Sequence, residues 1–469
     1  MRAHEAGVLH AEAGHRGPSW LRVPDDVNAL YPGLWPAGAE RGADGTLRVG
    51  GVGVGELAAE FGTPMYVVDE QDFRTRAAEF RDAFGAVLGG ADVYYAGKAF
   101  LSVEVARWIA DEGLCLDVCS GGELAVALRA EFPPERIGLH GNNKSSSELD
   151  RALAAGVGRI IVDSFDEIDR LAQLAGGHGV TARVLIRTKV GVEAHTHEYI
   201  ATAHEDQKFG FSIAGGEVAE AVRRVLAAPA LDLLGLHSHI GSQIYDTSGF
   251  EVAARRALDV QADVRDEHGV ELPELDLGGG FGIAYTSQDD PSNPSDLAAG
   301  LAEIVAHECR GHGLAVPRLS VEPGRAIVGP STCTVYEVGT VKTVELDGGA
   351  SRRYVAVDGG MSDNIRTALY DADYSCTLAS RASEAAPVLS RVVGKHCESG
   401  DVVVKDEFLP SDVAVGDLIA VPGTGAYCRS MANTYNHVPR PPVVVVRDGT
   451  ARVIVRRETE DDLLALDVG

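Results

Sequence analysis

The strongest constraint on the fold is a repeated rhythm of short apolar runs, each closing on a polar residue or glycine and followed by a segment of helical period. The runs are DVYYAGK (92–98), LCLDVCS (114–120), IGLHG (137–141), RIIVDS (159–164), ARVLIRT (182–188), LLGLHSHIG (233–241), LDLGGG (275–280) and LSVEPG (319–324). Ala/Glu/Arg-rich stretches such as SVEVARWIADEG lie between them. Eight apolar strands alternating with helices predict an α/β chain built on a (β/α)8 barrel of the TIM type. Such strands are buried on both faces and carry functional groups at their C-terminal ends. The wider gap after the fifth run leaves residues 189–212 as a long loop at that end. After about residue 325 the texture changes to Val-rich strands with turn signals, among them TVYEVGTVKTVELDGG and PPVVVVRDGTARVIVRR, which predict an all-β domain of sandwich or barrel type. LRVGGVGV (47–54) reads as a strand able to join it. The expected division is a loosely ordered arm at 1–45, an N-terminal segment of the β domain at 46–63, the barrel at 64–325 and the C-terminal β domain at 326–469.

Charge narrows the partners. Among 469 residues there are 42 Lys+Arg against 69 Asp+Glu, a formal net charge of −27. A chain this acidic repels phosphate backbones and anionic headgroups, which argues against nucleic acid and membrane surfaces. No apolar run approaches the ~18–20 residues that span a bilayer, and the first twenty residues lack the apolar stretch of a signal peptide. Seven cysteines without CxxC spacing fit free thiols in a reducing cytoplasm.

Lys98 closes the first run, where desolvation makes a lysine a Schiff-base former; the plain alternative is a surface lysine. His237 and His239 follow the sixth run. Strand alternation lets one of them face inward, and His239, next to the GSQ loop, is the better candidate. Hydrogen-bonded core histidines are the alternative. Gly278, Gly279 and Gly280 end the seventh run and Glu322-Pro323-Gly324-Arg325 the eighth, where barrel enzymes often hold a phosphate on backbone N–H groups. GGGFG lacks the third glycine of a dinucleotide fingerprint, and GGVGVG (50–55) reads as a glycine-rich strand or turn. His195, His197 and His204 with Glu193, Glu198 and Glu205 invite a zinc reading, but the spacing is not that of HExxH, so no metal is assigned.

A Schiff-base lysine, a histidine, a phosphate cradle and a buried carboxylate together describe a pyridoxal-phosphate site. The sequence resembles the diaminopimelate decarboxylase family, one of the fold type III pyridoxal-phosphate enzymes that also include alanine racemase and ornithine decarboxylase. The strings that carry the resemblance are YYAGKAF, DVCSGGEL, HGNNKS, GVEAHTHEYIATAHEDQKFGFS, GLHSHIGSQI, LDLGGGFGI, VEPGRAIVG, MSDNIRTALY, CESGD and GAYCRSMANTYN, spread over residues 50–440. It implies that Lys98 bonds to the cofactor, that Glu322 faces the pyridine nitrogen and that His239 stacks on the ring. It further implies that Ser242, Gly280, Gly324 and Arg325 hold the phosphate and that Tyr427 contacts the cofactor. Arg325, Arg366, Tyr370, Glu398 and Tyr427 are placed around the substrate. Cys397 matches the proton donor, supplied across a homodimer whose active sites are shared between subunits. Arginine's planar fork suits a carboxylate and Glu398 suits an ammonium. By the same resemblance, residues 191–212 close near the substrate. The chain departs from many relatives in having Thr367 rather than proline after Arg366.

The implied reaction is decarboxylation of meso-2,6-diaminoheptanedioate to L-lysine and carbon dioxide, the last step of lysine biosynthesis. A sister decarboxylase acting on carboxynorspermidine, ornithine or arginine is the alternative, although those substrates lack the distal carboxylate that Arg366 suits. A noncatalytic pyridoxal-phosphate carrier resembles the barrel alone, and a pseudoenzyme would have lost Lys98 or Cys397.

Overall fold

The computed structural model describes residues 17–87, 90–191, 208–345 and 351–469. The eight expected runs form eight parallel strands, here β1 (Ala91–Ala96), β2 (Cys115–Val118), β3 (Ile137–Leu139), β4 (Arg159–Val162), β5 (Ala182–Lys189), β6 (Leu231–Ser238), β7 (Glu274–Asp276) and β8 (Arg318–Val321). Each pairs with the next; β8 pairs with β1, and β4 with β5, so the sheet closes on itself without an edge. The chain thus folds a (β/α)8 barrel. Closure explains the apolar runs, because residues such as Leu116, Leu139, Val184, Leu185 and Ile186 are buried whichever face they point to. At Gly235 of β6 an added Cβ would lie 2.0 Å from the Glu274 carbonyl oxygen, so the approach of β6 to β7 requires glycine.

The turns that follow β1 to β4 share one local device. Ser102, Ser120, Ser145 and Ser164 cap the helices Val103–Asp111, Gly121–Arg129, Ser146–Ala155 and Phe165–His178, each hydroxyl accepting from the backbone N–H three residues on. In the last three that third residue is glutamate, whose carboxylate reaches back. Glu123 accepts from the Cys119 N–H at 2.6 Å, Glu148 from Ser145 at 2.8 Å and Glu167 from Asp163 at 3.2 Å. The S-x-x-E spacing therefore fixes each helix start against the strand end before it, where functional side chains emerge.

The chain divides into two compact units: residues 74–282 with 291–326, which hold the barrel, and residues 1–73 with 283–290 and 327–469. In the second, Thr332–Glu345 is the central strand. It pairs antiparallel with Ser351–Val357, with Leu418–Pro422 and with Met65–Asp69, and the last of these also runs parallel to Val443–Arg447. The N-terminal contribution to the large β-sheet is therefore MYVVD, which the expected boundaries put inside the barrel. Both of its edges are taken by strands of the β unit and all five residues are buried. LRVGGVGV forms a separate small sheet instead, in which Leu47–Val49 pairs with Ala39–Arg41 and, through the Gly50-Gly51 turn, with Val52–Gly53. A short stretch of the described arm is packed as well, with Leu34 and Trp35 buried in one cluster with Leu47, Val49 and Val444.

One buried ion pair ties two barrel turns together. Lys144, buried just after β3, donates to the carbonyls of Gly141 (2.6 Å) and Ile161 (2.8 Å) and meets the buried carboxylate of Glu167 at 2.8 Å. Removing one partner of such a pair strands the other charge. Lys144→Met is expected to cost about 3–5 kcal/mol in chemical denaturation, with most of the loss recovered in Lys144→Met/Glu167→Gln, where no charge is left behind.

Candidate active site

The C-terminal ends of the barrel strands bring seven of the expected residues into one unit: Lys98, His239, Ser242, Gly280, Glu322, Gly324 and Arg325. Lys98 is half-buried in the turn after β1. That turn lies against the end of β8: the Ala96 N–H donates to the Pro323 carbonyl at 3.3 Å, and a Cβ on Gly324 would stand 2.8 Å from the Ala96 oxygen. Glycine at 324 thus lets the Glu322–Arg325 turn close on the lysine turn.

Glu322 is the electrostatic centre. Its buried carboxylate lies 2.9 Å from His237 Nε2 and 3.4 Å from His140 Nε2, and the two rings meet edge to face at 5.1 Å. His237 Nδ1 is buried without a hydrogen-bond partner. A proton there would be an unsatisfied buried donor, so the arrangement selects the neutral Nε2–H tautomer donating to Glu322. Burial opposes the charge of Glu322, but the imidazoles of His140 and His237 and the Lys98 ammonium outweigh it and hold its carboxyl well below the ordinary range. Burial pushes His140, His237 and His239 below the ordinary imidazole value. It pushes Asp117 and Asp276 well above the ordinary carboxylate value, and the charge of Glu322 adds to this. One carboxylate stays ionised among two protonated neighbours and neutral imidazoles. His140, His237 and Glu322 hold their ligand-type atoms within 4.8 Å of one another, and the contacts among them already use those atoms.

The glycines divide their work. Gly278 N–H donates to Asp276 Oδ1 (2.8 Å) and Gly279 N–H to His239 Nδ1 (3.1 Å), whereas Gly280 N–H has no such commitment among the described residues. Gly280 takes φ +105°, and a Cβ there would lie 2.5 Å from the Gly241 carbonyl oxygen. This brings it beside Ser242, whose hydroxyl accepts from Arg325 Nη2 at 2.7 Å. Gly280, Ser242 and Arg325 therefore converge on a site for an anion, while Glu322 offers a carboxylate to a protonated ring nitrogen. With Lys98 in the same strand-end cluster, these residues fit pyridoxal phosphate: donors for its phosphate, an acceptor for its nitrogen and an amine for its aldehyde.

The remaining expected residues lie in the β unit. Arg366 opens the short helix Arg366–Tyr370 and is buried, contrary to the usual fate of a lone arginine. Its Nη1 donates to Tyr374 Oη at 2.6 Å, and its guanidinium lies over the rings of Tyr285 (4.7 Å) and Tyr374 (5.7 Å). Thr367 sits at the second helical position, where a proline is tolerated, and its hydroxyl donates to the Val403 carbonyl at 3.1 Å. Tyr370 ends this helix half-buried, as is Tyr427, which takes φ +63°. Cys397 is exposed and Glu398 half-buried on the turn between Pro387–Val393 and Val402–Pro410. Asp401 fastens this turn by accepting from the N–H groups of His396 (2.8 Å) and Met361 (2.6 Å), and Asn436 Oδ1 accepts from the Cys397 N–H at 3.2 Å. Among the described residues the turn shares no hydrogen bond with Arg366 or Tyr370. The histidine and glutamate cluster at 193–205 lies outside the described residues.

Residues 70–329 match the family of pyridoxal-dependent decarboxylases over its pyridoxal-binding domain. A diaminopimelate decarboxylase of Mycobacterium tuberculosis is 58% identical over 443 residues, 94% of this chain and 98% of the relative. That of Mycobacterium leprae is 55% identical over the whole of both chains. The chain belongs to the diaminopimelate decarboxylase family. A solved structure of the family, from M. jannaschii in complex with L-lysine, superposes with a TM-score of 0.85 at 31% identity, covering 92% of this chain and 98% of that one.

Sequence reasoning favoured His239 over His237 by strand alternation. Strand β6 ends at Ser238, so alternation does not extend to His239; His237 contacts Glu322, and His239 Nδ1 accepts from the Gly279 N–H. His140, Asp117 and Asp276 were passed over, although His140 closes an apolar barrel run and each aspartate interrupts one, a signal the sequence does carry.

The imidazoles make a pH prediction. Each takes up a proton near pH 6.5 when unfolded and stays neutral when folded, so the unfolded state binds more protons and stability falls as pH drops below that value, by about 1.4 kcal/mol per pH unit per imidazole. The protonated Asp117 and Asp276 contribute the opposite slope, so the informative quantity is a difference between proteins. Denaturation between about pH 7 and 5.5 should show a shallower acid loss in His140→Asn and His237→Asn than in the wild type.

Proposed function

We propose that the chain decarboxylates meso-2,6-diaminoheptanedioate to L-lysine and carbon dioxide with pyridoxal phosphate, as a homodimer that shares its active sites. The observation that carries the reading is the buried Glu322 anion, held by two neutral histidines, in the same strand-end cluster as Lys98 and the Arg325–Ser242 pair. When bound, pyridoxal phosphate supplies an electron sink for the pair left on the α-carbon as carbon dioxide departs. Lys98 would carry it, Ser242, Gly280, Gly324 and Arg325 would hold its phosphate, His239 would pack on its ring, and Glu322 would keep a proton on its nitrogen. Tyr427 adds a further contact.

Arg366 and Arg325 bind the carboxylate that is retained, with Tyr370 and Tyr427 beside it, and Glu398 binds the distal ammonium. The carboxylate that leaves must stay unpaired, since pairing it would stabilise the ground state against the transition state. Cys397 Sγ, presented by the partner subunit, gives its proton to the former α-carbon and regains one from water. The exposure of Cys397 on a fastened turn supports that role.

Substrate choice follows from Arg366. A buried guanidinium without a carboxylate partner among the described residues suits a substrate that keeps a distal carboxylate, which ornithine and arginine do not offer in that place. Purified holoenzyme should release carbon dioxide from meso-diaminopimelate and not from ornithine or carboxynorspermidine; the reverse preference overturns the reading. Lys98→Ala should lose the visible absorbance of the lysine–cofactor linkage and all measurable turnover. Cys397→Ala should lower kcat by about 10²-fold or more. Mixing these two variants should restore up to about a quarter of wild-type activity through hybrid dimers with one intact site, whereas no recovery after confirmed subunit exchange removes the shared-site assignment.

A further inference from the structure

The environment of Arg366 in the β unit is unusual for a buried cation. A guanidinium out of water ordinarily needs an anion beside it. Among the described residues Arg366 has neutral partners: the Tyr374 hydroxyl at 2.6 Å and the ring faces of Tyr285 and Tyr374, while its Nε is buried without an acceptor. The two tyrosines brace each other edge to face at 5.1 Å. Because Tyr374 Oη accepts from Arg366, its own proton is left for Cys428 Sγ, 3.7 Å away and buried. Burial holds the phenol well above its ordinary pKa, so it is a neutral acceptor throughout the working range of pH.

We propose that Tyr374, braced by Tyr285 and Cys428, is a positioning residue that orients the Arg366 guanidinium without neutralising it, so that the retained carboxylate of the substrate meets a fixed and uncompensated cation. An aspartate or glutamate in that place would hold the arginine as firmly but would cancel the charge that recruits the carboxylate. Phenol oxygen and π faces offset part of the burial cost and leave the rest to be recovered on binding. The inference rests on the assignment of Arg366 to the substrate carboxylate.

The test uses holoenzyme and three variants. Tyr374→Phe keeps both ring faces and deletes the acceptor; Tyr285→Leu deletes the larger stacking contact; Arg366→Met deletes the cation. Tyr374→Phe should raise KM for meso-diaminopimelate about 5- to 20-fold with kcat within about twofold, as expected when binding common to ground and transition states is lost. Inhibition by L-lysine, which keeps the carboxylate, should weaken by a similar factor. Inhibition by 1,5-diaminopentane, which lacks it, should not change. Tyr285→Leu should move the same two quantities in the same direction and covers the case in which Tyr374→Phe does not fold. Equal weakening towards both inhibitors, or no weakening towards either, overturns the proposal. If Arg366→Met raises KM while neither tyrosine variant does, the positioning role fails and the carboxylate assignment stands; if Arg366→Met also leaves KM unchanged, both fail.

Discussion

The contact on which the site depends is the one between the Glu322 carboxylate and the Nε2–H of His237. An ionised carboxylate buried at the end of a barrel costs several kcal/mol unless donors are fixed around it. Here the donor comes from β6, a second imidazole lies 3.4 Å away after β3, and the carboxylate follows β8, so the contact exists only when strands far apart in sequence have closed into one ring. Closure is in turn held by local devices that need no long-range information. The Ser-x-x-Glu caps set the helix starts, Gly235 lets β6 approach β7, and Lys144 joins the turns after β3 and β4. Burial, with the Glu322 anion adding to it, pushes Asp117 and Asp276 well above the ordinary carboxylate value, and burial together with the orphaned Nδ1 keeps the His237 ring neutral.

The net charge of −27 is compatible with a site for two anionic groups. Charges on the surface are screened over about 8–10 Å at physiological salt, so binding is decided by the few donors at short range. In the proposed assignment the cofactor phosphate meets Arg325, the Ser242 hydroxyl, Gly324 and the Gly280 N–H, and the retained carboxylate meets Arg325 and Arg366, the latter held by neutral partners. At Arg366 the printed partners are a phenol oxygen and two ring faces, which hold the guanidinium without cancelling its charge.

Much of the barrel was legible in the sequence because a closed parallel sheet imposes continuous apolar runs, and each observed strand falls within or beside its expected run. The terminal polar residues of those runs marked Lys98, Glu322 and the histidine pair. The β unit was legible in class and less so in detail. MYVVD and the barrel strands have the same texture, and nothing in a buried five-residue run says which sheet takes its edges. Arg366 shows the same limit. Its sequence neighbourhood gives no sign of burial, because Tyr285 and Cys428 reach it from segments about 60 to 80 residues away. Family resemblance pointed to Arg366, and coordinates were needed to find its aromatic box.

The central claim is that Glu322 is ionised beside neutral imidazoles. Nitrogen NMR of protein labelled with 15N at histidine, with His140→Asn and His237→Asn used for assignment, tests it directly. The account predicts neutral rings at both positions, with the Nε2–H tautomer at His237, unchanged from about pH 7.5 to pH 5.5, and loss of the hydrogen-bonded His237 signal position in Glu322→Gln. A doubly protonated, cationic His237 at neutral pH would contradict it.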